Sequence, residues 1–226
     1  MILAVATAVL FTACGEEKKE EEGNENGKTS ENKPEESGDD KEDVLAGGVY
    51  NVNPEESHIM WMGWNREKPE DHKHEGTINL SGTVEVADGK VTGGMMEAHL
   101  ETIVATDLEG KEKQQNDLKG HFMSPEFFAM EESEPSNPTI KVVNVTEEGV
   151  QVEITARGMT TQTLVPATVT IDGDQLMASS GEFEVNFLPF EMPFFAQEKE
   201  AENPDDHVTI LNPSVKFSGL KIVASK

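Results

Sequence analysis

The sequence predicts an all-β fold, a sandwich or a barrel of about eight antiparallel strands with one or two short helices. Three observations carry that expectation. Apolar and polar residues alternate over most of the 226-residue chain beyond residue 46, Asp-Gly and Glu-Gly turn pairs recur between the alternating runs, and helical periodicity is scarce.

The elements follow in order. "SHIMWMGW" (Ser57 to Trp64) puts Ile59 and Trp61 on one face and Met60, Met62 and Trp64 on the other. "GTINLSGTVEV" sets Ile78, Leu80, Val84 and Val86 against a polar face. "ADGK", "EEGV" and "IDGDQL" read as hairpin turns. Further period-two stretches run over 139–145, 150–156, 164–171, 175–185 and 207–223. The exception is "LKGHFMSPEFFAM". Ser124 followed by Pro125 and Glu126 reads as a helix start, with Ser as cap and Pro at the first helical position. That spacing predicts a short helix from Pro125 to about Met130, carrying Phe127 and Phe128 inward.

Ahead of this domain the chain divides in two. Ile2 to Phe11 is an apolar run of signal-peptide length, too short to span a bilayer as a helix. It leads to Cys14, the only cysteine. A lone cysteine forms no intrachain disulfide, so its surroundings decide its role. Thr12 and Ala13 before it and Gly15 after it resemble the lipobox of bacterial lipoproteins, with Phe11 where leucine is usual. The resemblance implies a signal peptide over 1–13, lipidation at Cys14, and a membrane-anchored protein of the bacterial envelope, at the outer membrane. Residues 14–46 then read as a disordered acidic tether. Between Glu16 and Asp43 stand thirteen acids and five lysines, a net charge of −8, with almost nothing apolar to offset the ordering entropy. The acidic block after Cys14 also resembles the signal that sends some lipoproteins to the cell surface, and it serves equally well as a solubilising linker.

Residues 47–226 remain as one domain. The whole chain carries 44 acids against 18 Lys and Arg, and its net −26 leaves −18 outside the tether. Such a charge argues against nucleic acid and against an anionic membrane surface as partners. It leaves a homodimer open.

"YNVNPEESHIMWMGW", "HEGTINLSGTVEV", "LKGHFMSPEFFAM" with "NPTIKV", and "VEITARGMTTQTLVPATV" occur in the order and spacing of the YceI-like family, which this chain resembles over nearly all of the domain. Leu118, His121, Ser124, Phe127, Phe128, Pro138 and Thr139 match one family element, and Thr155, Gly158, Thr160 and Val165 a second. The resemblance implies a lipocalin-like, extended antiparallel β-barrel whose apolar interior holds a polyisoprenoid, in some members the tail of a quinone. An eight-stranded barrel is wide enough to hold one ligand. On this reading the pocket-lining candidates are Trp61, Phe122, Phe127, Phe128, Phe183, Phe187 and Phe190. Between Phe183 and Phe190 the family commonly carries an Arg or Asp. This chain reads "FEVNFLPFEMPFF" instead, so its recognition of a ligand head differs there. "FLPFEMPFFAQ" (Phe187 to Gln197) reads as a lid, a barrel-mouth lining, or a loop packed over one barrel end.

Three further patterns are weighed. Met60, Met62, Met95, Met96, Met177 and Met192, among ten methionines, would suit an adaptable pocket for a flexible chain or serve as core. His72 and His74 in "DHKHEG" share a face if extended, and His121 would be a third ligand for a metal; exposed histidines give the same pattern. His121 also reads as orienting the Phe-Phe helix at the barrel wall. No Gly-x-Ser-x-Gly elbow, phosphate-binding glycine loop or strand–helix alternation is present, so a binding protein is expected and not an enzyme.

Overall fold

The computed structural model describes residues 47–66, 73–132, 136–196 and 211–226. The apolar leader, Cys14, the tether and His72 lie outside them. Among the described residues eleven strands form one antiparallel sheet: β1 (Gly48–Val52), β2 (His58–Trp64), β3 (Lys73–Ala87), β4 (Lys90–Ala105), β5 (Thr139–Thr146), β6 (Gly149–Ala156), β7 (Met159–Val165), β8 (Ala167–Asp172), β9 (Gln175–Ser180), β10 (Phe183–Asn186) and β11 (Ser214–Ser225). Helix α1 (Glu112–Met123) follows β4, and a one-turn helix α2 (Pro193–Ala196) follows β10.

Hydrogen-bonded neighbours run β7-β6-β5-β4-β3-β1-β11-β9-β8. Only Pro166 separates β7 from β8, so the path returns to the stave on which it began, and the sheet closes as a barrel. Proline explains the switch. It has no N–H to give a ladder, and pairing with β6 ends at Val150↔Val165 while pairing with β9 begins at Ala167↔Ser180. The Pro166 carbonyl accepts instead from Gly181 N at 3.1 Å.

Two other staves are also composite. β2 faces Lys216–Ser218 of β11 while β1 faces Ala224 and Ser225. On the opposite edge β10 covers Ser214–Phe217 and β9 covers Lys221–Ser225. Eleven strands therefore make eight staves, and the stretches 164–171 and 175–185, each read from sequence as one strand, are single staves broken once. Ser57, buried at the β1–β2 break, stands in for a strand partner: its Oγ donates to Val223 O at 3.2 Å and accepts from Val223 N at 3.0 Å.

Alternation decides what is inside. Ile59, Trp61, Ile78, Leu80, Val84 and Val86 are all buried, as their spacing predicts, and Met60 faces out. Trp61 lies opposite Gly76. A Cβ on Gly76 would stand 1.6 Å from the Val104 carbonyl oxygen, so only glycine lets β4 approach β3 there. Beyond that point Gln115 of α1 takes over as a strand partner: its Oε1 accepts from Ala105 N at 3.0 Å and its Nε2 donates to Ala105 O at 2.8 Å.

The helix lies elsewhere than the sequence predicts. It occupies Glu112–Met123 and stops at Ser124, which is its C-cap, with extended ψ of 165° and Oγ donating to His121 O at 2.7 Å. Pro125 is the reason, because a residue before proline is driven out of the helical region. Residues 125–130 form successive turns, and Phe127 and Phe128 nonetheless point inward.

Candidate functional site

The barrel encloses a cavity of about 500 Å³, within the roughly 300–1,000 Å³ of small-molecule sites. Its walls are aliphatic along the staves, with Ile78, Leu80, Val152, Leu176 and Ile222 among them, and aromatic at the α1 end. All seven candidates, Trp61, Phe122, Phe127, Phe128, Phe183, Phe187 and Phe190, border this one cavity. Their alternation or their place in the Leu118–Met130 and Phe187–Gln197 segments already marked them.

The roof is a connected set of rings. Phe127 stacks on Phe194 at 4.4 Å and meets Phe122, His121 and Phe195 edge-on at 5.4, 4.8 and 6.0 Å. Phe122 in turn meets Trp61 edge-on at 5.4 Å. A second chain runs from Phe128 through Phe187 to Phe217 and Phe183, at 5.9, 6.4 and 5.7 Å. Edge-to-face and offset geometries at these spacings are the favourable ones. The segment from Phe187 is thus both a loop packed over the barrel end and part of the cavity lining. Phe190 and Met192 are fully buried, and Phe194 N donates to Glu126 O at 3.1 Å.

One residue that sequence reasoning missed ties the roof down. Arg157 and Gly158 have φ of 54° and 74°, the two left-handed positions of a tight hairpin between Ala156 and Met159. Arg157 Nη1 reaches from that turn to the carbonyls of Phe127, at 2.6 Å, and Pro125, at 2.9 Å. Gly158 therefore has a local reason in the turn, and Arg157 a long-range one. The only sequence signal was the Arg-Gly pair inside "ARGM".

Polar side chains border the cavity at one end. They are His74, opposite Gly63 at the start of β3, His121 in the last turn of α1, and Asn212 just before β11. His74 Nδ1 is 2.8 Å from Asp107 Oδ2, and Asp107 Oδ1 accepts from Glu75 N at 3.0 Å. Burial works to raise the Asp107 pKa, but the Glu75 N–H and the His74 ring together hold it below the ordinary carboxylate value. His121 Nε2 is 3.1 Å from Glu126 Oε2. The Trp61 indole N–H is buried without a hydrogen-bond partner among the described residues.

Other expectations are corrected. The methionine-lined pocket is not found: Met96 alone of the six borders the cavity, Met192 is core, and Met60, Met95 and Met177 face solvent because they alternate with inward residues. His74 and His121 do border one pocket, with Leu118; His72, the other candidate ligand, lies outside the described residues, and among those described no three His, Cys, Asp or Glu side chains converge as a metal site. A relay of Ser81, His99 and Glu101 has Ser81 Oγ 2.7 Å from His99 Nε2 and Glu101 Oε1 3.2 Å from His99 Nδ1. None of the three borders the cavity. They lie at a β4 bulge that Thr102 and Asn137 also tie down.

An eight-stave antiparallel barrel around an apolar cavity, capped by aromatic rings, defines a lipocalin-like, cavity-enclosing fold. The chain belongs to the YceI-like family, whose domain matches residues 50–212. The crystal structure of Burkholderia cenocepacia BcnA is similar in fold, with a TM-score of 0.51 at 16% identity over 77% of this chain and 99% of that one. A mutant CJ YceI protein with a monobromobimane guest is more distant, at a TM-score of 0.43 and 9% identity over 65% and 81% of the two chains. No match was found among curated proteins.

Proposed function

We propose that this protein is a lipid-anchored carrier of the bacterial envelope that binds an isoprenoid, or an isoprenoid-quinone-like lipid, inside its barrel, and that it binds without catalysing. The observation that carries the reading is the cavity. Sheltering apolar chain from water contributes ~0.8 kcal/mol per CH₂, and the walls along the staves present aliphatic and aromatic carbon throughout. Family membership supports an apolar ligand. The test is to strip the purified protein of lipid and add back a polyisoprenoid. Stoichiometric uptake with a rise in melting temperature is expected, and a stable barrel that refuses every isoprenoid would point to a binding surface outside it.

The anchor belongs to the same proposal. One acyl chain holds a protein to a membrane marginally, whereas two or more hold it firmly. Cys14→Ser should therefore move the protein from the membrane fraction to the soluble fraction. Unchanged fractionation would remove lipidation from the account.

A further inference from the structure

The ends of the cavity differ, and the difference reports on the ligand's head. Residues at the far end, such as Val142, Val150 and Val165, are apolar, while His74, His121 and Asn212 gather at the α1 end. Each histidine is backed by a carboxylate. Asp107 already accepts the Glu75 N–H and so faces His74 as a second acceptor, which places the ring proton on Nδ1. In the neutral imidazole this leaves Nε2 as a bare acceptor. Glu126 takes the Nε2 side of His121, which leaves Nδ1 as the acceptor there. Asn212 is set the other way, because its Oδ1 is occupied by Ser214 N at 2.9 Å and its amide N–H groups remain as donors.

A head that fits must therefore donate to imidazole nitrogen and also accept from N–H. We infer that the ligand's polar end is a hydroxyl, that of an alcohol, phenol or hydroquinone, held at the α1 end by His74 and His121; this rests on the reading of the cavity as a lipid sleeve. A carbonyl head accepts only, and would set its lone pairs against two imidazole lone pairs. A phosphate head would meet Asp107, Glu126, Glu75 and Asp117. Among the described residues most nearby cations are engaged, Lys73 with Glu75, Lys113 with Asp117, Lys119 with the Glu101 carbonyl, Arg157 with the roof carbonyls, and Lys216 with Glu182 and the Trp64 ring, while Lys111, the residue before α1, is exposed and makes no ion pair among them. Arg66, exposed just past β2, is a remaining positive charge at this end.

The test uses the delipidated full chain at about pH 8, and four probes with one prenyl tail: farnesol, farnesal, farnesyl phosphate and farnesene. Farnesol should bind at least about tenfold more tightly than farnesal or farnesyl phosphate. In His74→Phe that preference should fall below about threefold, with farnesene affinity retained. Asp107→Asn is the sharper variant. An amide N–H facing His74 Nδ1 would move the ring proton to Nε2, and the preference should shift from farnesol towards farnesal. A merely structural role for Asp107 would weaken all four probes alike, which would overturn the inference. Equal binding of the three headed probes, or tightest binding of farnesyl phosphate, would also overturn it and leave the sleeve standing. Failure of farnesene together with the other three would remove the sleeve and the head site together.

Discussion

Truncating Phe127 to alanine tests whether the aromatic roof holds the barrel end together. Phe127 is 4% exposed and packs against Phe122, Phe194, Phe195 and His121 at ring separations of 4.4–6.0 Å. Removing a buried Phe side chain costs about 3–5 kcal/mol in transfer and cavity energy. Because Phe127 already borders the cavity of about 500 Å³, the lost ring enlarges an existing void that its neighbours have not collapsed into, and little of the cost should be recovered. At about 2–4 °C per kcal/mol for a domain of this size, the melting temperature should fall by roughly 6–20 °C. Circular dichroism or scanning fluorimetry reads this directly, with the outward-facing Val49→Ala as a control expected to change stability by less than about 0.5 kcal/mol. A Phe127→Ala protein that melts within about 2 °C of the parent would refute the claim that the roof is packed onto the barrel.

Three other perturbations probe separate links. Gly76→Ala places a carbon 1.6 Å from the Val104 carbonyl oxygen, and backbone cannot swing aside as a side chain can, so the cost should reach or exceed about 3 kcal/mol in urea unfolding; a loss under about 1 kcal/mol would contradict the close approach of β3 and β4. Arg157→Ala removes the donor shared by the Phe127 and Pro125 carbonyls and should cost about 1–3 kcal/mol, with faster amide exchange at Phe127 to Met130. Unaltered exchange there would show that the roof does not depend on the clamp. For Asp107, the folded-state pKa lies below its ordinary value. Its stabilising contribution is therefore complete above about pH 4 and is lost as pH falls through the lowered folded value. The stability gap between the parent and Asp107→Asn should narrow on acidification through that range, and a gap independent of pH would argue against the His74–Asp107 pairing.

Much of this was legible in the sequence because alternation is a local property. Ile59, Trp61, Ile78 and Leu80 announce their face through a period of two, and a barrel turns that face inward. Alternation gave seven of the eight staves but neither their breaks nor β4, whose burial does not alternate cleanly along its length and whose pairing with β3 shifts register twice. Pro166 interrupts a stave without redirecting it, which alternation alone does not register. The misplaced helix has a different origin. Ser-Pro-Glu suits a helix start and a helix stop equally well, and the deciding fact is the preceding run of helix formers from Glu112, whose weak amphipathy reflects a helix with no fully buried residue. Arg157 was illegible because its partners lie 30 and 32 residues away in sequence, and nothing in a hairpin signal says where a side chain will reach. The exposed methionines show the opposite failure, in which residue type suggested a pocket that their parity in the strand excludes.

The measurement that bears most directly on the central claim is native mass spectrometry, with organic extraction, of the protein purified from bacteria. A single co-purifying isoprenoid-class lipid per chain, released as the barrel unfolds, is the predicted result. An empty, stable barrel that also takes up no added isoprenoid would contradict the account.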